Sequence, residues 1–186
     1  MNAFVHDVEE EDPFEWLGRE MFMKSMSYET DVIRSTGGEM PIGWEEKAGA
    51  FAKMESDFQK DLAYVLATGS HTDNTAAKKR VIVFLTSSIF AVADQEKKYK
   101  KANLAKICRK IAEMEFFFFL HDFLRGDYTV RGKLRMVGLL DIHTTVSSYE
   151  KSWQHFGDDI VMLLEQTKES AYKIIEQYKY NLYENS

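Results

Sequence analysis

A chain of 186 residues with only 2 Pro and 10 Gly has few places to turn sharply, and that scarcity is its strongest structural constraint. Average usage is ~5% Pro and ~7% Gly, so long helices are favoured over many short strands and tight turns. Apolar residues recur at three- and four-residue steps along almost the whole length, the signature of helices with one buried face. No hairpin signal such as Asn-Gly between alternating apolar residues is present. These features predict an all-α fold, and the 13 Phe, 9 Tyr and 3 Trp predict an aromatic core.

Residues 1–13, acidic and ending at Pro13, read as an N-terminal arm, and 14–186 as a single domain of six or seven helices, a length that suits one core. The first helix spans 14–35 and is stopped by Gly37, Gly38 and Pro41. A second, with Trp44, Ala48, Phe51, Phe58, Leu62, Val65 and Leu66 on one face, runs from 44 to about 68. Thr72 or Asp73 can cap a third, reaching about Gln95. Its segment VIVFLTSSIF at 81–90 is β-branched enough to be a strand, but its apolar period stays near 3.6 for longer than a strand lasts, which favours helix. The run at 96–101 reads as a solvated turn. Asn103 can cap a helix over 103–124 that is apolar at every position of FFFFL, so it is expected to be the most buried of all. Gly126 is the expected left-handed cap at its end. Two further helices are expected over 129–145 and 158–183.

The net charge of −6 argues against unspecific nucleic-acid binding, which depends on Lys and Arg neutralising phosphates. No continuous apolar run, Phe116–Leu120 included, comes near the ~20 residues that span a bilayer. The acidic start has no signal-peptide pattern and the lone Cys108 cannot form an internal disulfide, so a cytoplasmic location is expected.

Catalytic machinery is sparse. His121-Asp122, with His71 and Asp141 as further ligands, could form a metal site of the His-Asp hydrolase kind. The same doublet recurs at His6-Asp7, however, which shows how easily it arises by chance. Glu113 and Glu115 lack the Glu-x-x-His step of a di-iron bundle and read as helix-face charges. Cys108 stands among Lys106, Arg109 and Lys110, cations that would lower a thiol's pKa, while burial would make it a small core residue. There is no glycine-rich phosphate loop, Gly-x-Ser-x-Gly elbow or metal-binding cysteine pair.

The stretch Cys108, then EMEFFFFLHDFL, Gly126-Asp127 and Gly138-Leu139-Leu140-Asp141 resembles the central helices of phycobiliproteins, light-harvesting members of the globin-like superfamily. The intervals of eighteen and twelve residues match that pattern. The resemblance implies a globin-like fold and a linear tetrapyrrole on Cys108 with Lys110 or Arg109 at its propionate. The family's Arg and Asp positions are here Lys110 and Ile111, and Ile111 cannot accept a bond from a pyrrole N–H. The same stretch is similar to bacterial sensor globins, with His143 at a later His position and Phe116, which cannot bind iron, at the haem-ligand position. Cofactor-free members of the superfamily are regulatory modules that dimerise. The expectation is therefore a non-enzymatic binding or regulatory module without a cofactor, acting on a protein partner or an apolar ligand. Self-association is expected through the last helix, whose Tyr172, Tyr178, Tyr180 and Tyr183 are of a type enriched at interfaces.

Overall fold

The computed structural model describes residues 11–26, 44–69, 75–96, 103–142 and 144–184. They form eight α-helices: α1 (Pro13–Met26), α2 (Trp44–Ala52), α3 (Asp57–Thr68), α4 (Ala76–Ala93), α5 (Leu104–Leu120), α6 (Val130–Met136), α7 (Val146–Ser152) and α8 (Gln154–Glu184). Short 3-10 turns lie at Asp122–Leu124 and Leu140–Ile142. There is no strand among the described residues, so the protein is all-α, and 81–90 is helical.

Hydroxyl and carboxylate caps explain most helix starts. Asp12 Oδ1 accepts from Phe14 N at 2.8 Å and opens α1 just before Pro13, whose missing N–H and fixed φ suit a first turn. Ser56, Thr75, Thr129 and Thr145 each accept from the N–H three residues on, at 3.1–3.2 Å. The Ser56 cap divides the helix expected over 44–68 into α2 and α3, because a new start at Ser56 uses the N–H groups that a continuous helix would bond. Thr75, rather than Thr72 or Asp73, caps α4; residues 70–74 lie outside the described set. Asn103 occupies the cap position of α5 but makes no side-chain cap bond.

The end of α5 also departs from expectation. It stops at Leu120, and His121, at φ −126° and ψ 54°, leads into the 3-10 turn. Gly126 has no positive φ; the described glycines that do are Gly69, after α3 at φ 70°, and Gly138, at φ 72°. Gly138 follows α6 and confines the helix expected over 129–145 to Val130–Met136. The last helix begins four residues earlier than expected, at Gln154. The expected arm over residues 1–10, the first helix's extension over 27–35, its stop at Gly37-Gly38 and Pro41, and the turn over 97–101 lie outside the described residues.

Two compact units divide the chain. One comprises Met1–Thr72 with Ser170–Ser186 and holds a core of Phe14, Trp16, Leu17, Ala50, Met54, Ala63, Ala67, Ala171 and Ile175. Gly18 lets α1 approach the Ala67 backbone of α3 so closely that a Cβ there would overlap the carbonyl. Glu11 joins Arg19 by an ion pair of 2.7 Å, which ties the chain before α1 to that helix. The other unit, Asp73–Glu169, holds α4 to α7 and the first half of α8. Its α5 buries nine side chains, including Cys108, Ile111, Phe116 and Phe118, against five for α4. Leu85 and Ile89 of α4, Leu134 of α6 and Phe156 and Ile160 of α8 are buried in the same unit.

Candidate functional site: the outer face of α4 and its groove with α5

From Val81 to Ala93 the sequence VIVFLTSSIFAVA carries no charged residue. A helix that is apolar on every side is ordinarily buried on every side. Here one side is covered: Val81, Leu85, Ile89 and Ala93 are buried, at steps of four. Elsewhere on the helix Val83 (63% exposed), Phe84 (44%) and Val92 (55%) are exposed, Val83 on the side opposite Leu85 and Val92 nine residues on, half a turn round from Val83. Beside Val83 runs a groove of about 610 Å³, lined by Lys79, Ile82, Val83, Thr86 and Ser87 of α4 and Ala105, Arg109 and Glu113 of α5. The Thr86 hydroxyl donates to its own helix, to the Ile82 carbonyl at 2.7 Å, which leaves the groove wall apolar and short.

One bank of the groove is electrostatically settled. Arg109 Nε donates to Glu113 Oε1 at 2.8 Å, and Lys110 Nζ to Oε2 at 2.9 Å. Partial burial would raise the Glu113 pKa, but these two hydrogen bonds and their positive charges outweigh it and hold the carboxyl below its ordinary value. Glu113 is thus a helix-face charge, as expected from the sequence. Lys79 and Lys106 make no ion pair among the described residues and face solvent.

The structure does not gather Cys108, Lys110 and Arg109 into one place. Cys108 is 0% exposed, and burial pushes its thiol up to about 11. Successive helical residues turn by ~100°, which carries Arg109 and Lys110 round to Glu113 while Cys108 faces the interior. His121 lies against Phe117, ring centroids 4.7 Å apart, and Asp122 is exposed beside Arg125. His6, Asp7, His71 and His143 lie outside the described residues. No group of three or more His, Cys, Asp or Glu residues able to hold a metal occurs among the described residues. Of the four tyrosines on α8, Tyr172 and Tyr178 pack against the core of their own unit, and the Tyr178 hydroxyl donates to the Glu46 carbonyl at 2.8 Å. Tyr180 and Tyr183 are exposed.

Glu115 departs from the face charge that the sequence leads one to expect. It is 8% exposed, and the Tyr149 hydroxyl donates to its Oε1 at 3.5 Å while Arg125 Nη1 lies 3.4 Å from Oε2. Gly157 makes room for the pair, since a Cβ there would stand 3.1 Å from both Glu115 Oε1 and the Tyr149 oxygen. Desolvation raises the Glu115 pKa against the pull of Arg125 and Lys133, with Asp158 adding to the rise. Tyr149 is also pushed upward, first by burial and then by the Glu115 charge. The signal was its position, between Met114 and Phe116 in a helix apolar on several sides. A buried lysine was missed too: Lys47 Nζ donates to the Trp16 carbonyl at 2.8 Å and lies 4.9 Å over the Trp16 ring.

No protein-family model, curated protein or solved structure matches this chain. No helix among the described residues is long and apolar enough to cross a membrane.

Proposed function

We propose that this protein is a non-enzymatic, cytoplasmic helical binding module, and that its docking face is the outer side of α4 together with the α4–α5 groove. One observation carries the reading: thirteen uncharged residues of α4 present Val83, Phe84 and Val92 to water. Exposed apolar side chains beside a groove mark an interaction site, and fully covering one Val or Phe side chain is favourable by ~1.5–3 kcal/mol. The face lies on α4 rather than α8, because two of the four α8 tyrosines already pack inside their own unit. The resemblance to cofactor-free, globin-like regulatory modules belongs to this proposal, and an aromatic helix buried along its length, α5, supports it.

Two measurements test it. Thermal unfolding of the Val83→Asp variant should stay within a few degrees of the parent, since surface substitutions usually change stability by no more than ~0.5 kcal/mol. A large drop would show that this side chain belongs to the chain's own core. A photo-crosslinking residue at position 83 should give a discrete heavier adduct in cells that make the protein, whereas one at the exposed Glu176 of α8 should not. Equal, diffuse adducts at both positions would sink the reading.

A further inference from the structure

We infer that the partner element seated in the α4–α5 groove is an acidic amphipathic helix, an inference that rests on the docking-face reading and adds its chemistry. The argument is electrostatic. Helices α4 and α5 carry six basic residues (Lys78, Lys79, Arg80, Lys106, Arg109, Lys110) against two acidic ones (Glu113, Glu115), a net of +4. The whole chain is −6, so positive charge is concentrated on this helix pair. Neither acid offers a free negative charge to a visitor. Glu113 is held by Arg109 and Lys110, and Glu115 is buried with Tyr149 and Arg125. What the groove presents is therefore an apolar wall of Ile82, Val83 and Ala105, with Thr86 and Ser87 beside it, Lys79 on one bank and the Arg109–Glu113 ion pair on the other.

The dimensions suit a helix. Lys79 to Ser87 spans eight helical steps, ~12 Å at ~1.5 Å per residue, or about two turns. Two turns place residues i, i+3, i+4 and i+7 of a docked helix against the wall and its flanking residues over the cations. Glu or Asp in those flanks would meet Lys79, Lys106 and Arg109, whereas Lys or Arg would be repelled. Charge matching of this sort sets partner choice and association rate more than raw affinity.

Fluorescence anisotropy of the full chain with two labelled synthetic peptides tests the inference. Both carry Leu at i, i+3, i+4 and i+7; one has Glu and the other Lys at the flanking positions. The Glu peptide should bind at least tenfold more tightly at about 50 mM salt and weaken about tenfold by 300 mM, where exposed charges are screened. Val83→Glu combined with Lys79→Glu should remove its binding. Should that variant unfold, Val83→Ser with Lys79→Gln should still weaken binding about threefold. Equal binding of both peptides that Val83→Glu abolishes would keep the docking face and overturn the acidic partner. Binding of neither peptide, or binding indifferent to Val83, would overturn the inference. A doubled solution mass lost in Val83→Glu would give the groove to a second copy instead.

Discussion

The difference between Cys108 and Glu115 shows what a single helical position decides. Both lie on α5, and both are buried, but a thiol is comfortable in apolar surroundings and a carboxylate is not. With its thiol pushed up to about 11 by burial, Cys108 holds very little thiolate near neutral pH, and the thiolate is the reactive form. Maleimide should label it slowly in the folded protein and stoichiometrically in urea; rapid labelling without denaturant would contradict its burial. Cys108→Val, close in volume, should cost less than ~1.5 kcal/mol. For Glu115 the sign runs the other way from a typical paired carboxylate. Its folded pKa is raised, so its contribution to stability is greatest below the unfolded pKa and is lost as pH rises through the folded one. Around it stand Arg125, Lys133, Asp158 and Tyr149, with Asp122 against Arg125. Glu115→Gln, which removes the buried charge and keeps the shape, should therefore gain on the parent as pH climbs from 4 to 7 in urea unfolding. A gap that moves in the opposite direction would show that Arg125 outweighs desolvation.

At the scale of elements, most helices were legible, although α7 had no counterpart in the expected pattern, and helix ends were not. Periodicity survives any local detail, which is why 81–90 could be assigned to a helix despite its β-branched residues. Ends depend on which of several Ser, Thr and Gly residues takes the cap, and neighbouring candidates look alike in sequence. Gly126 and Gly138 illustrate this: both follow helical patterns, yet only Gly138 holds a positive φ. Gly138→Ala should cost ~1–2 kcal/mol, the usual penalty of a left-handed L-residue, although its Cβ would meet nothing closer than Asp141 Oδ2 at 3.4 Å. Gly126→Ala, with nothing within 4 Å and no positive φ, should be neutral by thermal unfolding. Equal losses at both positions would put the left-handed turn back at Gly126. Thr75→Ala should lower stability by ~1 kcal/mol through loss of the bond from Lys78 N. The docking face was half legible: the uncharged run of α4 is plain in the sequence, but which side of a helix is left uncovered depends on what packs against it, and periodicity alone cannot say that.

For the whole molecule, charge placement bears on whether the protein pairs with itself. A two-fold dimer brings each surface patch against its own copy. Across such an axis the α4–α5 face would set Lys79, Lys106 and Arg109 near the same three cations of the partner subunit, while the chain's excess acid lies elsewhere. A stable interface also needs roughly 800 Å² from each partner, and the exposed apolar side chains of α4 are three, Val83, Phe84 and Val92. Self-association through this face is thus disfavoured, most strongly at low salt. The alternative contact is α8, where Tyr180 and Tyr183 are exposed without such a concentration of one charge. Light scattering at micromolar protein and about 50 mM salt should show no dimer through the α4 face, giving either a mass near 21.6 kDa or a doubled mass that Val83→Glu leaves unchanged. A doubled mass that persists in Val83→Glu but falls in Tyr180→Ser, Tyr183→Ser would assign the dimer to α8 and leave the α4–α5 groove uncovered. A doubled mass that Val83→Glu abolishes would show that burial of the α4 face overcomes the repulsion of its cations.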